Sequence, residues 1–230
     1  MKLAVVSGSS SGIGEAIATR LLDLNYRVLG LSRTCSIEHK NYEHIFIDLS
    51  DEKASLEFCK KIQKEEVFIL INSAGFGKFE PHEELNAKTI TQMTFLNLTI
   101  PMLLTNAMLR NLKKNNGYLI NINSIEALYP SKFSGVYSAT KAGLKAFGES
   151  LFEETRKSGL SITNINPDMT ESNFYNHLRF ETSKKEDERL LCTDIADSVE
   201  HILTMRKGAV VSEYTIRSLN FGISKKSIKK

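Results

Sequence analysis

The opening of the chain restricts its fold more than any other stretch. Leu3–Ser7 is a short, mostly apolar run, and SGSSSGIG over residues 7–14 follows it without a spacer. A run this short, bounded by a turn signal, reads as a strand buried on both faces, as in a parallel sheet. Past the glycines, Ile13, Ile17 and Leu21 fall on one helical stripe while Arg20 and Asp23 lie off it. A strand feeding a helix through a glycine turn begins an α/β sheet, and the rest of the chain repeats the alternation.

Further strands are expected at residues 27–31, 44–47, 67–72, 118–123, 161–166 and 209–212. Helices are expected over 51–64, 86–114 and 135–157, and from a Thr193 cap to about Met205. Such alternation puts helices on both faces of a parallel sheet. The expected fold is a single Rossmann-like, doubly wound sheet of about seven strands in one α/β domain spanning residues 1–230. Residues 167–192 are polar, lack periodicity and hold the charged run 184–189, which reads as a substrate lid with a short helix or two.

Pro101 falls inside the expected helix 86–114. Proline has no amide hydrogen to give the carbonyl four residues back, which is that of Asn97. The helix is therefore kinked there, with that carbonyl released.

The glycines of the first turn, Gly8, Gly12 and Gly14, are spaced GxxxGxG with three serine hydroxyls between the first two. Small residues at a strand-to-helix turn let a pyrophosphate approach backbone amides at the helix N-terminus, so the turn reads as a dinucleotide cradle. The end of the second strand selects the nucleotide. A carboxylate there binds the ribose diol of NAD, whereas Ser32 and Arg33 stand here with no acid, which favours the 2′-phosphate of NADP(H). The competing reading of Arg33 is a solvated loop residue.

Tyr137 and Lys141 open the helix expected at 135–157, four residues apart, so phenol and ammonium project from one face. A cation beside a phenol favours the phenolate. At an effective dielectric of ~20 and a separation of ~4 Å the attraction is about 4 kcal/mol, an upper bound equal to roughly three pKa units. Such a tyrosine trades protons near neutral pH. Alone, the pair is common on exposed helices, so its meaning depends on its company.

That company is specific. The glycine turn, NSAG at residues 72–75 after an apolar strand, Asn97 in a long helix, Ser124 closing another strand, and YSATK at 137–141 stand in one order. The set resembles the short-chain dehydrogenase/reductase family over nearly the whole chain. The resemblance implies an NADP(H)-dependent oxidoreductase acting on a small carbonyl or alcohol, with Ser124 polarising the substrate carbonyl and Tyr137 moving the proton. Lys141 would lower the tyrosine pKa and hold the nicotinamide ribose, and Asn97 would hold a water on the proton relay. It further implies a cofactor cradle of Gly8, Ser10, Ser11, Gly12, Ile13 and Gly14 at the turn, Ser32 and Arg33 at the ribose, and Asp48 with Leu49 at the adenine. Asn72, Ala74 and Gly75, then Tyr137 and Lys141, and finally Pro167 and Thr170 complete it.

The chain departs from the family's pattern in places. Ser73 replaces a second Asn; Asp168 follows Pro167 where the family usually has glycine, putting Thr170 three and Ser172 five residues past the proline. The frequent Asp-Gly-Gly ending is absent, so assembly as a homodimer or homotetramer, through helices beginning near Asn86 and Gly135, is expected only by analogy. Phe76, Phe79, Phe174 and Tyr175 either line an apolar pocket or belong to the core. His177 and Arg179 either meet an acid group or are solvated, and Glu126 points either at substrate or at solvent.

Other classes fit less well. Ser124 sits in INSIEA, not GxSxG, so it is not a hydrolase nucleophile. A cofactor-sensing binding protein would not need the proton pair, and a 3-oxoacyl carrier-protein reductase is a narrower possibility within the same fold. Cys35, Cys59 and Cys192 are scattered and the five histidines lack ligand spacing, which indicates neither disulfide nor metal and suits a reducing cytoplasm. No uninterrupted apolar run approaches ~18 residues, so neither a signal peptide nor a membrane span is expected. The formal charge of +3 draws on Lys225, Lys226, Lys229 and Lys230, and residues 224–230 read as a frayed, solvated end rather than a nucleic-acid arm.

Overall fold

The computed structural model describes residues 1–206 and 208–226. Strands β1 (Leu3–Ser7), β2 (Arg27–Ser32), β3 (Tyr42–Phe46), β4 (Val67–Asn72), β5 (Tyr118–Ile122) and β6 (Ser161–Pro167) are joined by helical crossovers except between β2 and β3, where a loop connects them. With β8 (Glu213–Ile216) they form one parallel sheet of seven strands in the order β3-β2-β1-β4-β5-β6-β8. The order reverses between β1 and β4, and in such sheets ligands bind beyond the carboxyl ends of the strands at that switch.

Because side chains alternate along a strand, each strand serves two cores. Leu3 and Val5 of β1 pack with Phe58 and Ile62 of α2 (Glu52–Ile62), Leu104 and Met108 of α4 (Ile100–Lys114) and Leu151 of α5 (Gly135–Thr155). Ala4 and Val6 face the opposite core with Ile17 and Leu21 of α1 (Gly12–Asp23) and Ile195 and Val199 of α6 (Cys192–Thr204). Burying each such aliphatic side chain contributes roughly 1.5–3 kcal/mol, so both faces of β1 are held.

Four expectations are corrected. The helix foreseen over 86–114 is three pieces: α3 (Ala87–Thr94), a π-turn (Phe95–Thr99) and α4. Pro101 stands in the first turn of α4, where its missing amide is tolerated, and the Ile100 amide bonds the Phe95 carbonyl across the wider turn. The last strand of the sheet is β8, not residues 209–212. The apolar side chains of 209–212 suggested a buried strand, but the segment only leads in, its Ser212 carbonyl accepting from Asn164 N at 3.0 Å. The half-exposed Glu213–Ile216 pairs instead, as an edge strand does. Thr193 does not cap α6; the Asp194 carboxylate accepts from the Leu191 amide at 2.8 Å.

The fourth correction concerns the basic end. Lys225 lies in β9 (Ile223–Lys225), paired antiparallel with β7 (Phe180–Thr182), and Lys226 N donates to the Arg179 carbonyl at 3.0 Å. Residues 223–226 are thus laid against residues 179–182, whereas Lys229 and Lys230 lie outside the described residues. Between β6 and α6, residues 167–192 hold 3-10 turns at Asn173–Tyr175 and Glu186–Glu188 on either side of β7. No helix among the described residues is long and apolar enough to cross a membrane.

Candidate active site

The glycine turn has the backbone its sequence implies. Gly8 runs at φ +72°, and a Cβ on it would stand 2.9 Å from the Ala74 Cα, so the first turn and the NSAG loop touch through bare backbone. Gly14 lies under the Gly8 carbonyl, where a Cβ would be only 2.2 Å from that oxygen. Ser11 precedes α1 without making a side-chain cap, so the first-turn amides retain no such partner. That cradle fits an anion such as a pyrophosphate. Ser7 clamps the neighbouring loop, its hydroxyl accepting from Ser73 N at 3.0 Å and Ala74 N at 3.1 Å.

At the end of β2, Ser32 is buried and Arg33 is exposed. Asp48 does not face inward. It caps its own turn, accepting from Ser50 N at 2.9 Å and Ser50 Oγ at 2.7 Å, and these bonds together with the Arg33 charge hold its pKa down. Leu49 is buried behind it. Two neighbours escaped the sequence reading. Tyr42 hydrogen-bonds Ser9 at 2.9 Å, and His44 Nε2 stands 3.0 Å from Ser32 Oγ. Alternation along β3 was the signal, since both share the side of the strand turned to β2 and the turn.

Asn97, on the π-turn, is fully buried. Its amide brackets one peptide of the loop after β4, accepting from Phe76 N at 3.0 Å and donating to Phe76 O at 2.8 Å, with Thr140 Oγ1 at 3.3 Å. A Cβ on Gly75 would lie 3.0 Å from Asn97 Oδ1 and 3.8 Å from Lys141 Nζ, so these three positions converge. Ser124 ends the segment after β5, its Oγ accepting from Glu126 N at 3.2 Å, and its hydroxyl lies near enough to the Tyr137 phenol to draw that group's pKa down.

The tyrosine–lysine pair shares a face, Nζ standing 5.8 Å from the ring centroid, yet its electrostatics differ from expectation. Burial lifts the Tyr137 phenol well above the ordinary tyrosine range, with the Ser124 hydroxyl pulling down and the Glu126 charge pushing up. Lys141 is itself buried and falls to about 8, and its Nζ donates to the Ile122 carbonyl at 2.7 Å. Desolvation opposes both charged forms, and here it outweighs the attraction that the spacing promised. The expected acidic phenol is corrected to a phenol that keeps its proton.

Glu126 points at neither substrate nor solvent. Its carboxylate accepts from Ser131 N at 2.9 Å and Ser138 Oγ at 2.7 Å, binding the loop after Ser124 to the first turn of the helix that carries Tyr137. Asp168, in the place of a glycine, accepts from Met169 N at 2.9 Å and from Arg217 Nε at 2.8 Å, which fixes the start of residues 167–192. Pro167 ends β6, and Thr170 is buried with its hydroxyl on the Asp168 carbonyl at 2.9 Å. Ser172 reaches back to the glycine turn, 3.2 Å from where a Gly12 Cβ would be. Ser10, Ser11 and Ile13 stay half-buried along the turn.

The polar row that extends from Asn72 beneath the site was missed beyond that first residue. Asn72, Asn121, Asn164 and Glu213 are register partners across β4, β5, β6 and β8. Asn72 Nδ2 donates to Asn121 Oδ1 at 2.9 Å and Asn121 Nδ2 to Asn164 Oδ1 at 3.2 Å. The signal was present: NIN recurs at 121–123 and 164–166 inside strands otherwise apolar on both faces. Among the described residues no group of three or more His, Cys, Asp or Glu is placed to hold a metal ion.

Known proteins resemble this chain in sequence and fold. The family model described as short chain dehydrogenase matches residues 2–182. An uncharacterised oxidoreductase of Staphylococcus aureus is 31% identical over 234 residues, covering 94% of this chain and 96% of its own. One from Staphylococcus epidermidis is 29% identical over 226 residues, with the same shares. Among solved structures, an alcohol dehydrogenase from the archaeon Thermococcus sibiricus, complexed with 5-hydroxy-NADP, superposes with a TM-score of 0.82 at 26% identity, covering 95% of this chain and 97% of that one. Serine dehydrogenase from Escherichia coli shares the fold, with a TM-score of 0.79 at 21% identity over 93% of this chain and 96% of that one. With residues 2–182 inside the family model and both staphylococcal relatives matched nearly end to end, the chain belongs to the short-chain dehydrogenase family, oxidoreductases that work with a nicotinamide dinucleotide.

Proposed function

We propose that the protein is an NADP-dependent oxidoreductase that interconverts a carbonyl compound and the corresponding alcohol. The observation that carries this reading is the convergence of Ser124, Tyr137, Lys141 and Asn97 beside a bare-backbone turn whose far edge bears Arg33 and no acid. The turn amides and Ser10, Ser11 and Ile13 would hold the pyrophosphate, Arg33 the 2′-phosphate, and Lys141 the nicotinamide ribose. When bound, the nicotinamide dinucleotide supplies or takes up the hydride. Ser124 donates to the carbonyl oxygen and fixes its position. Tyr137, kept protonated by burial, is the acid that delivers a proton to that oxygen as charge develops there. Lys141, near 8, exchanges protons at neutral pH and resupplies the phenol on the side held by Asn97 and Thr140. The NADP derivative in the archaeal alcohol dehydrogenase supports the nucleotide choice. Assembly as a homo-oligomer and a cytoplasmic site of action belong to the same reading.

The test is carbonyl-dependent NADPH and NADH oxidation by the native chain, Tyr137→Phe and Arg33→Ala. Loss of the proton donor should lower kcat by about 10²–10⁴-fold; equal, negligible rates across a broad carbonyl panel would instead favour a cofactor-sensing binding protein, and equal, appreciable rates would remove Tyr137 from its role. Arg33→Ala should weaken NADPH more than NADH by about tenfold. Unchanged selectivity would remove Arg33 from its role.

A further inference from the structure

An aromatic cluster covers the phenol. The ring of Phe79, from the loop after β4, stands 5.3 Å from the Tyr137 ring, and the ring of Phe174 stands 5.7 Å from it on the side of residues 167–192. Phe180 closes on Phe79 at 5.2 Å edge to face, and Tyr175 on Phe174 at 5.2 Å. Phe79, Phe174 and Phe180 remain half-exposed, so the cluster is a rim and not a sealed core.

The segments that carry these rings hold charges of both signs, most of them paired with one another. His177 and Arg179, considered from sequence as partners for an acid group, are exposed on the outer side. Nearby cations are engaged elsewhere: Lys78 with Glu80 at 2.9 Å, Arg189 with Glu171 at 2.8 Å, Arg217 with Asp168 at 2.8 Å, and Lys226 Nζ on the Tyr175 carbonyl. The Glu126 carboxylate lies close enough for its charge to oppose ionisation of Tyr137, and a second anion would meet the same opposition. Aromatic faces are themselves negative, so they attract flat rings edge-on and repel carboxylates.

Resting on the proposed oxidoreductase reading, we propose that the substrate is an uncharged aldehyde or ketone bearing an aromatic group, and that Phe79 and Phe174 select it. A carbonyl placed at Ser124 and Tyr137 has its substituent directed into the ring cluster. That substituent takes over contacts Phe174 makes with Tyr137, so a ring replaces a ring. In the reducing direction the carbonyl carbon would gain a hydride supplied by the reduced nicotinamide and the oxygen would gain the Tyr137 proton, giving the corresponding alcohol, benzyl alcohol from benzaldehyde, and the oxidised nucleotide.

The test compares benzaldehyde, 4-carboxybenzaldehyde and butanal with the native chain, Phe174→Ala and Phe174→Tyr. Benzaldehyde should exceed both others in kcat/KM by about tenfold or more, chiefly through KM. Phe174→Ala should erase most of the benzaldehyde-to-butanal ratio, and Phe174→Tyr should restore it. Equal or better use of 4-carboxybenzaldehyde, or an unchanged ratio in Phe174→Ala, would overturn the substrate class while leaving the oxidoreductase reading intact. If no carbonyl is turned over by any variant, that broader reading fails, and calorimetric titration decides the pocket. Tighter binding of benzyl alcohol than of 4-carboxybenzyl alcohol by the nucleotide-loaded chain then upholds the selectivity; equal binding or none overturns it.

Discussion

Gly148 stands inside α5 facing the sheet, where helix propensity alone favours alanine by about 1 kcal/mol. A Cβ there would lie 2.5 Å from Asn164 Oδ1, 2.8 Å from Asn164 Nδ2 and 2.9 Å from Asn121 Nδ2. Asn164 cannot step aside freely. Its Oδ1 accepts from Asn121 and Asn123 at 3.2 and 3.1 Å, and its Nδ2 donates to the Lys145 carbonyl at 3.2 Å. Forcing a methyl into a filled core costs about 1–3 kcal/mol, and pulling a buried amide from its partners costs about 1–3 kcal/mol more. Gly148→Ala should therefore destabilise the fold by about 3 kcal/mol net, lowering the melting temperature by on the order of 5–10 °C. Urea unfolding followed by circular dichroism, with calorimetry, measures this; the midpoint should fall with the slope unchanged. Gly135→Ala is the control, because nothing lies within 4 Å of a Cβ there. A melting temperature for Gly148→Ala equal to or above the native one would refute the close packing of α5 on the asparagine row.

Lys141 makes stability depend on alkaline pH in a definite direction. Below about 8 the amine is charged in both states and the fold carries the full burial cost; above it the folded amine sheds its proton first. The unfolded amine holds on to about 10.4, so stability should rise through this window by up to roughly 1.4 kcal/mol per pH unit, until tyrosine ionisation in the unfolded chain opposes it near pH ~10. Lys141→Met should be relatively more stable at pH 7 and lose that advantage between about 8 and 10; parallel curves would dismiss the burial argument. Arg217→Ala should release the buried Asp168 end of residues 167–192, with little effect on global stability because the arginine is half-exposed and its charge is screened by solvent. Amide exchange at Met169 and Thr170 should quicken about fivefold while β1 and β4 stay protected. Exchange unchanged at those amides would mean that the ion pair does not anchor the segment.

The sequence alone determined the α/β class, the strand-turn-helix unit at residues 3–23 and the four later crossovers, and it singled out Asn97, Tyr137 and Lys141, which the fold brings near one another, though not Tyr42 or His44. It did so because period, turn chemistry and spacing are local and survive without knowledge of neighbours. The electrostatic state of Tyr137 was not local. Spacing put Lys141 beside it, but burial beneath Phe79 and Phe174, and the turn of Nζ to Ile122, decided which way its pKa moves. Glu126, Asp168 and the pairing of β9 with β7 were likewise settled by partners on other elements, such as Ser138 for Glu126 and Arg217 for Asp168, that only the folded chain brings together. Gly148 marks the same boundary: the helix it sits in was legible, whereas the asparagines that forbid it a side chain come from two other strands and reach it only in the folded chain.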